Sequence, residues 1–324
     1  MKITGDLAKV FAAINKKMGD DTIVVGSEVI ETGRMTTGSV AIDVALGGGW
    51  PTNQWHELIG EASNGKTALA LKTIAANQKK DPDFTTVWVA AEQWVPGYAT
   101  ICGVDTSRVF VISSNIMEEA YEAVIKITES KQVDCIVIDS LPALVPTTED
   151  EKEMEESTVG RAALLTNKFF RKVGKASKRS LVSDERPFIG LIINQWRSKI
   201  GVMYGDPRTT PGGLGKDYAF FTRTEVRRDE WIEAGTGQEK RRVGQSIKFR
   251  IIKNKSAAPG QVAVVDFYFA NGGDDEYWIG SADLMHRNLD RRVEALVRID
   301  QNDHKKLLQH SLDAQLAPIP ADNA

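Results

Sequence analysis

An eight-residue glycine motif around position 60 restricts the possible folds of this chain more than any other feature. Residues 60–67 are Gly-Glu-Ala-Ser-Asn-Gly-Lys-Thr and match the pattern G-x-x-x-x-G-K-[ST]. The apolar run 55–59 precedes the motif, as a strand would, and a helical run beginning Ala68-Leu69 follows it. A strand, this loop and a helix in that order are typical of a phosphate-binding loop in an α/β fold, with a plain glycine turn as the alternative.

The motif predicts a site for ATP and Mg²⁺. Backbone N–H groups at a helix N-terminus can wrap the β-phosphate, because the glycines let the backbone approach closely. Lys66 would neutralise phosphate oxygens, and the Thr67 hydroxyl would be a ligand of Mg²⁺. The predicted nucleotide contacts in this loop are Gly60, Glu61, Ala62, Ser63, Asn64, Gly65, Lys66, Thr67 and Ala68.

Two carboxylates follow apolar runs further along the chain. Asp139 closes the run 135–138, where it would complete the magnesium shell with Thr67; a helix cap is the simpler alternative. Glu92 follows the run 87–91 and is the candidate general base that activates water. Gln93, the next residue, remains an alternative group for orienting that water.

The order of apolar runs predicts the fold class. From residue 54 to 193 short apolar runs alternate with helical stretches, which indicates an α/β core with a mainly parallel sheet and helices on both faces. Between 223 and 269 three strands follow one another, so we expect an antiparallel edge there. The resulting division is an arm over 1–30, a core over 31–280 and a short helical region with a tail over 281–324.

The predicted arm has no sheet of its own. Leu7, Val10 and Met18 recur at helical spacing, and Thr22–Val25 is the pattern of a lone strand. Such a unit needs a partner surface, and another subunit of the same chain would provide one.

Composition limits the partners and the compartment. The net charge is -3, so contact with nucleic acid requires a local basic surface. The two cysteines lie beside apolar residues and suit small buried thiols. With no signal-peptide core and no run of 18 apolar residues, we expect a cytoplasmic protein.

The sequence around these motifs resembles the RecA recombinase family over residues 5–273. The resemblance is most specific in Ile193-Asn194-Gln195 and in the run 199–213, which includes Lys-Ile-Gly-Val-Met-Tyr-Gly-Asp-Pro and Thr-Thr-Pro-Gly-Gly. The other matching segments are 36–39, 42–49 with Pro51, Ala91-Glu92 with Pro96-Gly97-Tyr98-Ala99, Asp134–Ser140 and Lys253–Pro259.

The resemblance implies roles for individual residues. Glu92 corresponds to the catalytic glutamate, Tyr98 to the tyrosine that stacks on adenine, and Ser140 with Asp139 to the second nucleotide motif. Gln195 corresponds to the glutamine that senses the γ-phosphate and signals to the second DNA-binding loop. Lys253 and Lys255 correspond to cations that reach the ATP of the adjacent subunit. Lys66, Glu92, Gln195, Lys253 and Lys255 are therefore the predicted catalytic residues.

Two loops are the predicted DNA contacts. Residues 196–216 contain five glycines and two prolines with several cations, a stretch too long for a structural connector. A surface loop with no ligand is the alternative. The first loop of the family corresponds to 154–163. The candidate DNA-binding residues are Val159, Arg161, Arg171, Trp196, Arg197, Lys199, Met203, Tyr204, Arg208, Thr210, Gly212 and Gly213.

Together these features predict an ATP-dependent recombination protein. It would polymerise into helical, head-to-tail filaments on single-stranded DNA and pair that strand with a homologous duplex. Duplex capture through the C-terminal residues is not part of this expectation, because the resemblance ends before them. A ring helicase or another P-loop motor shares the phosphate loop, Glu92 and Asp139, and a non-hydrolysing coat protein is a further alternative. An ABC transporter would need a Leu-Ser-Gly-Gly signature, which the chain lacks.

Overall fold

A computed structural model describes most of the chain. The described residues are 5–19, 22–147, 160–180, 185–198, 208–235, 240–269, 277–279 and 297–299. They belong to two compact units, Met1–Gly272 and Gly273–Ala324.

The first unit contains the helices and nearly all of the strands in the described ranges. Its helices are α1 (Asp6–Met18), α2 (Val40–Leu46), α3 (Lys66–Lys80), α4 (Pro96–Ile101), α5 (Met117–Ser130), α6 (Arg161–Ala176) and α7 (Gly215–Ala219). Its strands are β1 (Arg34–Met35), β2 (Trp50–Pro51), β3 (Gln54–Ile59), β4 (Thr86–Ala90), β5 (Val109–Ile112), β6 (Cys135–Asp139), β7 (Ile189–Asn194), β8 (Arg197–Ser198), β9 (Arg208–Thr209), β10 (Thr222–Ala234), β11 (Arg241–Asn254) and β12 (Val262–Tyr268).

One eight-stranded sheet organises this unit. Its strand order is β12-β11-β10-β3-β7-β6-β4-β5. The six strands from β10 to β5 run parallel to one another. β11 and β12 complete the sheet as antiparallel neighbours. The predicted mainly parallel sheet with an antiparallel edge is confirmed.

Apolar side chains cover both faces of the sheet. On one face Leu71 and Ile74 of α3 pack with Leu58 and Val137, and all four side chains are buried. On the other face α5 and α6 pack against alternate residues of the same strands, with Trp55 at the centre of an aromatic group that includes Tyr121, Phe169 and Phe188. Strands buried on both faces must be apolar nearly throughout, which explains the continuous runs in the sequence.

The N-terminal arm contains the predicted helix. Helix α1 forms as expected and buries no side chain. In the single chain Thr22–Val25 form no strand. A strand needs a neighbour to accept its backbone hydrogen bonds, and the expected neighbour is another subunit, so this strand stays a prediction.

The second unit is described only in part. Tyr277–Ile279 forms β13 and Val297–Ile299 forms β14, and the two pair antiparallel. Val297 was expected to be helical; it is in a strand, which suits a segment containing two β-branched residues. The other residues of the predicted helical region lie outside the described ranges.

Cys102 and Cys135 are both buried free thiols, as predicted.

In the part of the chain that the structure describes, every helix is too short or too polar to cross a bilayer.

Gly190 provides a test of the sheet packing. A Cβ atom at this position of β7 would lie 2.3 Å from the Trp55 ring. We expect Gly190→Ala to lower the free energy of unfolding by about 1–3 kcal/mol, because the close-packed core must shift. Urea unfolding measures the change.

Gly174→Ala is the matched control. Gly174 lies on the exposed side of α6, and a Cβ atom there would meet nothing within 4 Å. This substitution should raise the free energy of unfolding by about 0.5–1 kcal/mol, as alanine does in helices. Equal midpoints for the two variants would contradict the described packing of β7.

Candidate nucleotide site

The residues predicted to bind the nucleotide meet at the carboxyl ends of the parallel strands, which we call the nucleotide edge. Gly60 follows β3, Gln195 follows β7, Ser140 follows β6 and Glu92 lies two residues beyond β4. Ile59 pairs with Asn194 and Ala90 with Asp139, so these parallel strands end together. Ligands of open α/β sheets bind at the carboxyl ends of the strands.

The phosphate loop has the geometry that its glycines require. Gly65 has a φ of 90° and immediately precedes α3, which begins at Lys66. Gly60 passes so close to β10 that a Cβ atom would lie 2.1 Å from the carbonyl oxygen of Val226. A side chain at either position would displace the loop. The positions of its backbone N–H groups, which are predicted to bind phosphate, therefore depend on both glycines.

Lys66 is held inside the loop. Its Nζ donates a hydrogen bond to the carbonyl oxygen of Glu61 at 2.5 Å. Burial lowers the pKa of the ammonium group, while the nearby carboxylates of Asp139 and Glu92 oppose that shift. The lysine is therefore a partly desolvated cation, which interacts strongly with an anionic ligand.

Thr67 and Asp139 form a pair of hard oxygen donors. The Thr67 hydroxyl donates to Oδ2 of Asp139 at 3.0 Å, although β7 lies between β3 and β6 in the sheet. Burial raises the pKa of Asp139 to about 6, and the negative charge of Glu92 adds to this effect. A hydroxyl beside a carboxylate fits the preference of Mg²⁺ for oxygen ligands.

Ser140 has a role that sequence reasoning missed. Its hydroxyl, which is buried, donates to Oε1 of Glu92 at 2.5 Å. The backbone N–H of Glu92 also donates to the carbonyl oxygen of Asp139 at 3.0 Å. The carboxylate of Glu92 is thus oriented by its neighbour at the sheet edge while remaining exposed. Gln93 is exposed beside it.

Tyr98 lies on α4, away from the phosphate loop in sequence. Its side chain is 36% exposed, so part of the ring is accessible. The accessible ring is compatible with the predicted stacking on a flat base, which stays a prediction.

Gln195 stands where the nucleotide edge meets the second loop. Its backbone N–H donates to Oδ1 of Asn194 at 2.9 Å. β8 and β9 then pair across the base of the loop, with Arg197 opposite Thr209. Lys199, Met203 and Tyr204 lie outside the described residues.

Arg208 closes the base of the second loop. Its guanidinium lies 4.7 Å from the centre of the Trp196 ring, and its Nη1 is 2.5 Å from Oε1 of Glu225. A guanidinium over an indole face is a favourable cation–π arrangement. The base of this loop is therefore tied to β10.

The C-terminal end of the second loop packs into the core. Lys216, one of the cations in the loop sequence, has a fully buried side chain. Thr210, a candidate DNA contact, is 7% exposed and its hydroxyl accepts a hydrogen bond from Lys216. Its contact with DNA stays a prediction. Gly212, with a φ of 97°, packs on Lys216, and Gly213 packs on Ala163 of α6. Inside the core Lys216 contacts two acidic partners, the buried Glu57 and the partly exposed Asp217.

The first loop is described only at its end. Val159 lies outside the described residues. Arg161 begins α6 and its Nη2 is 3.7 Å from Oε1 of Glu118, with about half of the side chain exposed. Arg171 is exposed further along the same helix.

Lys253 and Lys255 both contact the turn at α7. Nζ of Lys253 donates to the carbonyl oxygen of Asp217 at 2.5 Å, and Nζ of Lys255 donates to that of Tyr218 at 3.1 Å. Burial lowers the pKa of Lys253 to about 8, and the positive charges of Lys255 and Arg223 contribute.

Sequence reasoning also missed a buried polar group beside Gln195. It contains Glu57, Asn194, Lys216 and Arg223, and it links β3 to the second loop. One visible clue was a glutamate within the predicted strand 55–59, because a buried carboxylate requires charged or hydrogen-bonding partners.

Comparison with known proteins assigns the family. The family model for the RecA N-terminal domain matches residues 6–274. The chain belongs to the RecA family. The eight-stranded, mostly parallel sheet described above is thus the core of a RecA-family recombinase. A second family model, polyphosphate kinase C-terminal domain 2, matches residues 265–322, most of which lie outside the described ranges.

Curated RecA-family relatives align along most of their length. Protein RecA of Mesomycoplasma hyopneumoniae is 36% identical over 270 residues, which cover 82% of this chain and 77% of the relative. Protein RecA of Lactobacillus delbrueckii subsp. bulgaricus is 36% identical over 263 residues, covering 80% and 76%. Protein RecA of Lactococcus lactis subsp. cremoris is 35% identical over 271 residues, covering 82% and 68%.

The raised pKa of Asp139 has a consequence for stability. In the metal-free chain the raised pKa means that the buried Asp139 side chain stabilises the fold in its protonated form. This contribution to the free energy of unfolding is lost as pH rises from about 4 through about 6, because the carboxyl group ionises. Above pH 6 we expect Asp139→Asn to raise the free energy of unfolding by up to about 3 kcal/mol. Urea unfolding at pH 5 and pH 8 without divalent metal measures the difference.

The exposed Asp6 serves as the control for this experiment. Asp6→Asn should leave the free energy of unfolding unchanged within about 0.5 kcal/mol at both pH values. Adding Mg²⁺ and ATP should stabilise the wild type at pH 8 but not Asp139→Asn. A destabilised Asp139→Asn at pH 8 would show that burial of the ionised Asp139 carboxylate does not destabilise the fold.

Proposed function

We propose that this RecA-family chain is a DNA-dependent ATPase that forms helical filaments on single-stranded DNA and catalyses strand exchange with a homologous duplex. The observation that carries the proposal is the position of Gln195. It follows a strand that ends beside the phosphate loop, where the N–H of Gly60 donates to the carbonyl oxygen of Asn194, and it leads directly into the paired base of the second loop. Nucleotide state and DNA contact therefore share one backbone segment.

The residues of the phosphate loop fit ATP with Mg²⁺. N–H groups of the loop and the start of α3 would hold the phosphates, with Lys66 neutralising their charge. Thr67 and Asp139 would hold the magnesium ion. When bound, Mg²⁺ neutralises negative charge on the β- and γ-phosphates during transfer. Tyr98 would pack against the adenine ring.

Glu92 would accept a proton from the attacking water. Ser140 fixes one carboxylate oxygen, so the other is free to face the water. Lys253 and Lys255 would act in the adjacent subunit, where cations supplied in trans stabilise charge on the γ-phosphate. ATP turnover then depends on stacked subunits.

The arm supports assembly of the chain into filaments. Helix α1 buries no side chain and leaves Leu7 and Val10 about half exposed. β5 is an edge strand of the sheet, and its Phe110 side chain is 61% exposed. An arm without a partner and an open sheet edge are two different surfaces, which suits a head-to-tail contact. A head-to-tail contact whose rotation does not close into a ring builds a helix of subunits.

Basic side chains beside the second loop support a second DNA partner. Arg227 pairs across the strands with Lys248, and Glu225, which binds Arg208, pairs with Arg250. Arg227 and Arg250 are exposed on the antiparallel part of the sheet. A row of cations next to the loop would attract the phosphates of a homologous duplex while base pairing selects the sequence.

The competing functions are less well supported. A ring helicase shares the phosphate loop, but family membership and the Gln195 segment favour a recombinase. A non-hydrolysing coat protein would not need a carboxylate oriented as Glu92 is by Ser140.

Glu92→Gln tests the mechanism. The amide keeps an oxygen that can accept from Ser140 but cannot take the proton, so DNA-stimulated ATP hydrolysis should fall by about 10²–10⁴-fold. Filaments should still form with ATP. Hydrolysis with and without single-stranded DNA, electron microscopy, and strand exchange with homologous and unrelated duplexes measure these properties.

Gln93→Ala is the neighbouring control and should retain hydrolysis within about threefold, as expected for a residue outside proton transfer. A large loss in Gln93→Ala with little change in Glu92→Gln would reassign the water-orienting group. Wild-type protein that neither forms filaments nor responds to single-stranded DNA would overturn the proposed function.

The low pKa of Lys253 predicts a pH dependence. Lysine is cationic only below its pKa, which is about 8 in the isolated chain, and bound phosphate raises that value. DNA-stimulated hydrolysis should therefore decline as pH rises above 8, because the ammonium group loses its proton. Lys253→Arg should remove the decline, because arginine stays charged. A decline that is identical in both proteins would exclude Lys253 as its origin.

A further inference from the structure

We infer that a buried ionic network at the end of the second loop positions the DNA loop and the two trans-acting lysines relative to the nucleotide edge. The Glu57 network comprises Glu57, Asn194, Thr210, Lys216, Asp217 and Arg223. The inference rests on the proposed function and assigns Lys216 and Glu57 as positioning residues for its coupling of DNA contact to hydrolysis.

The centre of the Glu57 network is fully withdrawn from solvent. Glu57 and Lys216 have fully buried side chains, and Nζ of Lys216 lies 3.5 Å from Oε1 of Glu57. Nε of Arg223 lies 2.6 Å from Oε2 of Glu57. Lys216 also donates to Asp217 at 2.6 Å, and Nη2 of Arg223 is 3.1 Å from the same carboxylate oxygen. Two anions and two cations therefore balance each other.

One side of the network contacts the nucleotide edge. The side-chain amide of Asn194 donates to Oε1 of Glu57 at 2.7 Å and lies 3.3 Å from the carbonyl oxygen of Pro211. The same residue accepts from the N–H of Gln195 through its side chain and from the N–H of Gly60 through its backbone. Asn194 thus joins the phosphate loop, the γ-phosphate sensor and the second loop to Glu57.

The other side contacts the loop and the lysines. Lys216 donates to the Thr210 hydroxyl, which fixes the returning strand of the loop. Lys253 and Lys255 donate to the carbonyl oxygens of Asp217 and Tyr218 in α7. Helix α7 therefore holds both trans cations at the same place where the Glu57 network anchors the loop.

The energetics of buried ion pairs indicate that the Glu57 network fixes the geometry of the loop more than it stabilises the fold. Desolvation of a buried ion pair often cancels its attraction, and apolar replacements are commonly tolerated. A fully satisfied polar network instead allows one arrangement of its members, because each hydrogen bond is directional. A shift of Gln195 toward the γ-phosphate would consequently move the loop base and α7 together.

The test separates coupling from folding. We compare wild type, Lys216→Met and the double variant Glu57→Gln/Lys216→Met, which removes one charge of each sign and keeps the side-chain volumes. For each we measure urea unfolding, KM for ATP without DNA, and the ratio of hydrolysis rates with and without single-stranded DNA. We expect KM within about threefold of wild type and a stimulation ratio lowered about tenfold in both variants, a typical size for lost coupling.

The double variant gives the decisive comparison. If the network merely stabilises the fold, the double variant regains both stability and DNA stimulation. If it positions the loop, stability returns while the stimulation ratio stays low. Lys126→Met, which breaks the exposed Lys126–Glu122 pair, is the matched control and should leave every measurement unchanged.

A milder variant keeps the test decisive if buried substitutions prevent folding. Asp217 is 26% exposed, so Asp217→Asn loosens the network from its edge. Its stimulation ratio should fall about threefold at unchanged KM. Folded variants with wild-type stimulation, or a wild-type ratio in Asp217→Asn, overturn the inference. Absence of DNA stimulation in the wild type would instead contradict the proposed function itself.

Discussion

The parallel pairing of β3 with β7 is the constraint on which the rest of the site depends. It aligns Ile59 with Asn194, so the phosphate loop and Gln195 leave the sheet at the same point although more than a hundred residues separate them. Apolar packing on both faces holds this pair in the middle of the sheet. The loop proposed to bind DNA therefore begins beside the loop proposed to bind phosphate.

This RecA-family core also buries several ionisable side chains. Asp139, Lys66 and Lys253 all have pKa values shifted toward the neutral form, and in each group burial is the main cause. When charged, such buried groups interact strongly with ligands of opposite charge, since water no longer screens them. ATP, Mg²⁺ and a neighbouring subunit would supply those charges, which makes the proposed ligands part of the electrostatic balance of the fold.

The features that could be predicted were local or periodic. The phosphate loop, Asp139 and Glu92 all follow apolar strands, so their common edge followed from the rule for parallel sheets. Strand pairing is not a local property, so the strand expected over Thr22–Val25 depends on a partner outside the single chain. The burial of Thr210 and Lys216 could not be predicted either, because a polar loop composition does not reveal a buried carboxylate in a distant strand.

By itself the sequence determined the α/β class, the phosphate loop and the resemblance to the RecA family, because each is written in contiguous residues or in a short repeat of apolar positions. Only the tertiary structure decided how side chains from distant segments pair. Ser140 orients Glu92, and Lys216 meets Glu57, through contacts that exist once the sheet has assembled. Hydrogen bonds and ion pairs act over a few ångströms in space, and spacing along the chain does not encode that distance.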